Sequence, residues 1–200
     1  MSSVRTRVRN DILWIILDNV PHNALNTAML LRLAEILRSA QQQTLNLVVL
    51  TGMGEEAFCS GFDLPVDSME LQKLHQAARS VDEAFQQLAQ QGIPSVALIK
   101  GHAYGPGSEL AALCDTLIAR EDVTLRLPAE NARLFPSATS QRFPSLLKPE
   151  IFERLAKSGE TLSAHAALEA GLVHQVLPAA RFLQESEELL VMLSIVGLTA

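Results

Sequence analysis

The 200-residue sequence is poor in aromatic residues (4%), in cysteine (two) and in positive charge, with 16 Lys and Arg against 22 Asp and Glu for a formal net charge of -6. Each shortage excludes something. A surface that neutralises phosphates needs a basic excess or a basic stripe, so nucleic acid is not an expected partner. The one basic cluster, Arg5, Arg7 and Arg9, reads as a solvated strand edge. Cys59 and Cys114 lie in apolar contexts, which fits reduced thiols and not a disulfide framework, and Cys and His show no metal-ligand spacing. The longest apolar run, Leu189 to Ala200, is too short to span a bilayer, and the first residues lack the order of a secretion signal. No membrane partner is expected, and the cytoplasm is the expected location.

Aliphatic residues are what the chain has in plenty. A hydrophobic content of 48% over 200 residues suits one compact α/β domain. Ile12 to Leu17, bounded by Asn10-Asp11 and Asp18-Asn19, reads as a strand. Asn26-Thr27 opens a helical pattern with Leu30, Leu33, Ala34 and Leu37 on one face, and Leu45 to Thr51 is a second buried strand. Strand, helix, strand implies a parallel pair with a crossover. A helix over Val66 to Gln91, a third strand over Pro94 to Ile99, a helix over Ser108 to Cys114 and a fourth strand over Thr116 to Ala119 follow. Short helices at Glu150 to Lys157 and Ala164 to Ala170, a strand at Leu172 to Val176 and a last helix at Phe182 to Val196 complete the pattern. That last helix is apolar around much of its surface, which predicts burial against the body or a partner chain.

Two turns stand out. Ala57-Phe58-Cys59-Ser60-Gly61-Phe62-Asp63-Leu64 follows the second strand, and Ala103-Tyr104-Gly105-Pro106-Gly107-Ser108-Glu109-Leu110 follows the third. Loops gather at the carboxyl ends of parallel strands, so both turns should face one crevice. A Gly-rich turn running into a helix offers unpaired N–H groups to developing negative charge, and two such turns could share one oxyanion. Asp63 and Asp115 read as carboxylates that satisfy turn amides, and His22 and His102 as partly exposed residues near the loops. Ser60, Ser108 and Cys59 lack a His and Asp constellation, so a nucleophilic triad is not supported.

Four ordered segments resemble the crotonase (enoyl-CoA hydratase/isomerase) superfamily: Pro21 to Asn26 (PHNALN), Ala57 to Leu64, Ile93 to Asp115 and Ser163 to Pro178. The resemblance implies a spiral of ββα units with a shortened C-terminal helical region. Residues 1–180 would be the core domain, and 181–200 a C-terminal helix left from the family's oligomerisation region. It also implies a homotrimer or dimer of trimers acting on an acyl-CoA or carrier-protein thioester. No separate cofactor is implied, coenzyme A being part of the substrate.

Carried over by position, Phe62 gives the first oxyanion-hole amide. The second position is Pro106, which has no N–H, so that Gly107 is the available substitute. Glu109 matches the first family acid. The second family acid falls on Ala129, with Glu130 one residue away as the candidate that could replace it. Ala24, Ser60, Gly61, Asp63, Leu64 and Gly105 would line the thioester. These departures favour a one-acid, isomerase-like activity over hydration, since a double-bond shift can be run by one base. The alternative is a non-catalytic, degenerate member that binds an acyl thioester or a partner subunit.

Overall fold

The computed structural model describes residues 3–63 and 67–196. One sheet of six strands carries most of the core. Its members are β1 (Ser3–Arg9), β2 (Ile12–Asp18), β3 (Leu47–Gly52), β5 (Ser95–Ile99), β7 (Thr116–Arg120) and β10 (Gln175–Leu177), in the spatial order β1-β2-β3-β5-β7-β10. β1 runs antiparallel to β2, and the other pairs are parallel, with Ile12 opposite Leu47 and Val96 opposite Thr116. The expected parallel pair is therefore present. The arginines at 5, 7 and 9 are exposed on edge strand β1, and Arg5 meets Asp18 at 2.5 Å.

A second sheet is built from strands of two or three residues: β4 (Ala57–Cys59), β6 (His102–Tyr104), β8 (Thr124–Arg126) and β9 (Leu162–Ser163), in that order. Each turn of the chain places one strand in each sheet and then a helix. β3 and β4 lead to α2 (Ser68–Gln90), and β5 and β6 lead to α3 (Pro106–Ala112). Because β3, β5 and β7 advance in one sheet while β4, β6 and β8 advance in the other, the chain is a spiral of ββα units. This is the expected fold class.

The main core lies on the side of the large sheet that faces the second sheet and helices α1 (Thr27–Ala40), α2 and α3. There Leu13, Ile15, Leu17, Leu50 and Phe58 pack with Leu30, Leu33 and Leu37. α1 begins where its cap was legible, since the Asn26 side chain accepts from the Met29 N–H at 3.0 Å. The other face of the sheet, with Ile12, Val49, Val96 and Leu98, is covered by α7 (Phe182–Val196) through Phe182 and Leu190. α7 buries that stripe and leaves Leu183, Met192 and Ile195 exposed, so its apolar surface is only partly covered.

Two boundaries differ from the sequence reading for identifiable reasons. α3 starts at Pro106, two residues early, because proline's fixed φ suits the first helical position and the N–H it lacks has no intrahelical partner there. β10 starts at Gln175, not Leu172. The N–H groups of Leu172 and Val173 still donate to Ala167 O at the end of α6 (Ala164–Ala170), so those residues fill the core before the strand begins.

Candidate active site

The two Gly-containing turns leave β4 and β6, which are adjacent parallel strands of the second sheet. The sequence reading had attached them to the larger strands β3 and β5. The short strands bring the turns together. A Cβ built on Gly61 would lie 3.8 Å from Pro106 Cδ and 3.9 Å from Tyr104 O.

The first turn is zipped to the segment after β2. Leu25 N–H donates to Gly61 O at 2.9 Å, Asp63 N–H donates to Leu25 O at 2.8 Å, and Ser60 N–H donates to His22 O at 3.0 Å. These bonds flank Phe62, which pairs with Leu25 as an isolated parallel bridge, and its own N–H meets no acceptor among the described residues. Ala24 contributes its carbonyl to Asn19 Nδ2 at 2.8 Å. Asp63 departs from expectation: its carboxylate is exposed and accepts from the Asn19 side chain at 3.4 Å, while Asp115 does accept the Ser95 N–H at 2.8 Å. Leu64 lies outside the described residues.

The second turn is arranged differently. Gly105 caps α3 at φ 53° and ψ -121°, a conformation reserved for glycine, and its N–H donates to Arg126 O at 2.8 Å. Pro106 has no N–H, and it sits at the first helical position. Of the three residues in the turn, only Gly107 keeps an amide without an acceptor among the described residues. Gly107 must be glycine for packing reasons, since a Cβ there would lie 2.1 Å from Cys59 O.

Glu109, in the first turn of α3, is fully buried. Its Oε2 accepts from the Leu134 N–H at 2.7 Å and the Phe135 N–H at 3.4 Å, and its Oε1 from the Thr139 hydroxyl at 2.9 Å. Burial pushes the carboxyl up from 4.5 to about 7, a rise opposed by the Leu134 amide, the Thr139 hydroxyl, the Phe135 amide and the Arg133 charge. Glu130 is not brought to this carboxyl. It opens an exposed 3-10 turn (Glu130–Ala132), as the neighbouring Ala129 is also exposed, and it is not among the groups acting on Glu109.

The remaining candidates have other occupations. His102 Nδ1 accepts from the Thr124 N–H at 3.1 Å, and His22 forms a solvent-exposed pair with Glu56 at 3.3 Å. The Cys59 thiol is pushed up to about 12 by burial, which leaves it inert at neutral pH. A cavity of about 340 Å³ lies beside α7, lined by Ile12, Trp14, Leu98, Lys100 and Leu190 among others, and no candidate site residue lines it.

Sequence reading missed the donors to Glu109, which are Leu134, Phe135 and Thr139, and the buried Asp82 that accepts from Ser137 between them. The signal for Asp82 was available: it falls within the stripe of Leu74, Ala78, Val81 and Phe85 that α2 buries.

Comparison with known families gives these features a context. The family model for enoyl-CoA hydratase/isomerase matches residues 7–195. The chain belongs to the enoyl-CoA hydratase/isomerase family. Relatives include YngF of Bacillus subtilis (strain 168), 33% identical over 206 residues spanning 98% of this chain and 77% of that one. Carnitinyl-CoA dehydratase of Proteus mirabilis (strain HI4320) is 28% identical, spanning 94% and 72% respectively. Among solved structures, an enoyl-CoA hydratase from Bacillus anthracis superimposes with a TM-score of 0.83 at 29% identity, covering 96% of this chain and 76% of that one.

Proposed function

We propose that this protein acts on an acyl-CoA or carrier-bound acyl thioester, stabilising its enolate with the N–H groups of Phe62 and Gly107 and moving protons with Glu109 alone. The observation that carries the reading is Glu109 itself. It is a buried carboxyl whose pKa burial pushes up to about 7, two residues from Gly107, whose amide has no acceptor among the described residues. A general base works best when its pKa lies near the operating pH.

With one acid, the reaction best supported is a double-bond shift. The Glu109 carboxylate takes a proton from C2 of a 3-enoyl thioester. The C–H electrons move into the C1–C2 bond, and the carbonyl π electrons move onto oxygen, where two amides receive the charge. Collapse of the resulting dienolate forms the C2–C3 double bond and regenerates the carbonyl. C4 takes the proton back from Glu109, so the carboxylate is restored and only a proton has moved. Hydration would call on a second carboxylate, and Ala129 occupies that position while Glu130 is exposed.

The test is conversion of 3-enoyl-CoA thioesters of several chain lengths to their 2-enoyl isomers, followed spectroscopically with calorimetric binding on the same samples. Turnover by the native protein and its loss in Glu109→Gln, with binding retained, supports the reading. Binding without turnover favours a member that holds a thioester and does no chemistry, a possibility raised by the missing N–H of Pro106.

A further inference from the structure

All the hydrogen bonds that the Glu109 carboxyl accepts among the described residues come from one stretch, 134–139. Only the start of that stretch lies outside regular secondary structure. Residues 133–135, which supply the two N–H donors, belong to no helix or strand, and residues 136–146, which follow, are helical with a π-helical turn at Ala138–Arg142. Ser137 lies between the two N–H donors and the hydroxyl donor. Its N–H donates to Asp82 Oδ2 at 2.8 Å and its hydroxyl donates to Asp82 Oδ1.

Asp82 is itself only 4% exposed, on the stripe of α2 where Val81 and Phe85 fill the core. A carboxylate at such a position is costly unless its oxygens are hydrogen-bonded, and both of these are bonded to Ser137. α2 is a long helix packed along α1, and therefore a firm support.

We propose that Asp82 is a positioning residue for Glu109, clamping Ser137 so that the 134–139 stretch holds its three donors against the acid's carboxyl. For its effect on turnover this rests on the reading of Glu109 as the acid/base. Its effect on the carboxyl itself does not. The charged groups around Glu109 leave the clamp as the variable element. Arg133 acts on the carboxyl directly, the Arg142 guanidinium is engaged with the carbonyls of Ala112 and Cys114, and the Asp115 carboxylate is engaged with Ser95. None of these contacts involves Asp82.

The experiment is a pH titration of the Glu109 carboxyl in protein carrying 13C at the glutamate side-chain carboxyl, with the signal assigned by its loss in Glu109→Gln. Native protein is compared with Asp82→Asn, Asp82→Ala and Ser137→Ala. Weakening the clamp withdraws donors that favour the ionised form, so the midpoint should move upward by about one pH unit in Asp82→Ala and less in Asp82→Asn and Ser137→Ala. If Asp82→Ala does not fold, the two milder variants decide the matter.

A midpoint unchanged in folded variants, even with lowered Tm, would overturn the proposal and leave Asp82 a purely structural residue. Where turnover is measurable, kcat should fall with KM little changed. If the midpoint moves but native protein shows no turnover on any thioester, the clamp stands and the proposed function fails, so the two results are separable.

Discussion

The turn at Gly61 and Phe62 and the turn at Gly105, Pro106 and Gly107 lie side by side at the ends of β4 and β6, but they are built on different terms. The first is fixed by backbone bonds to Leu25 and His22 on either side of Phe62, and leaves the Phe62 N–H without an acceptor among the described residues. The second is fixed by helix α3, by the Gly105 N–H on Arg126 O and by the close approach of Gly107 to Cys59. A helix tolerates proline at its first position, so the fold loses nothing when Pro106 removes an amide there. An oxyanion site, as proposed here, would lose a donor. On the proposed reading, the residue that suits the helix is the one that takes a donor from the oxyanion site.

The largest expected effect tests whether the second turn still supports catalysis. Glu109→Gln should lower kcat by about 100- to 10,000-fold, the range attributed to a positioned acid/base, with thioester affinity nearly unchanged in calorimetry. Unaltered turnover would remove Glu109 from the reaction.

Burying this acid also has a cost in stability. Its folded pKa of about 7 lies above the unfolded value of 4.5, so the native state binds more protons between those two pH values. Stability contributed by Glu109 is present below pH 4.5 and is lost as pH rises through 7. Urea unfolding should show a decline of about 3 kcal/mol from this group across that window, absent in Glu109→Gln. Equal pH slopes in the two proteins would mean that the carboxyl is not desolvated as described.

Smaller effects sharpen the comparison of the turns. Pro106→Gly restores an N–H where the second turn lacks one, and loss of such a donor typically costs about 100- to 1000-fold. A gain in kcat/KM of about tenfold or more is expected, with stability lower by about 1 kcal/mol because the unfolded chain gains freedom. No gain would show that the Gly107 amide already serves fully. Smallest of all, Glu130→Ala should leave kcat/KM within about twofold, as expected for an exposed side chain away from the reacting groups. A large loss would show that Glu130 reaches the substrate after all.

Much of this was legible in the sequence because the long elements obey simple periods. α1 announced itself through Asn26 and the Leu30, Leu33, Ala34, Leu37 stripe, and β2 and β3 through short, mostly aliphatic runs. β4, β6, β8 and β9 were not legible, because two or three residues cannot display an alternation. Their existence depends on pairing with one another across the spiral. The pairing of the two turns survived that omission, since β4 and β6 feed directly into them. The surroundings of Glu109 were illegible for a related reason. Its donors are two main-chain N–H groups, which every residue but proline carries, and a threonine thirty residues away. Asp82, missed as well, was the one group there that left a signal, an acid on an otherwise apolar helical stripe.

The most direct test of the central claim, that Phe62, Gly107 and Glu109 together stabilise and form an enolate, is exchange of the α-protons of a bound acyl-CoA in D2O followed by 1H NMR. This measurement reports enolate formation whatever reaction follows it. The account predicts exchange above the uncatalysed rate with native protein, faster exchange with Pro106→Gly, and none above background with Glu109→Gln. A thioester that binds to the native protein and keeps its α-protons, or that exchanges them equally well without Glu109, would contradict it.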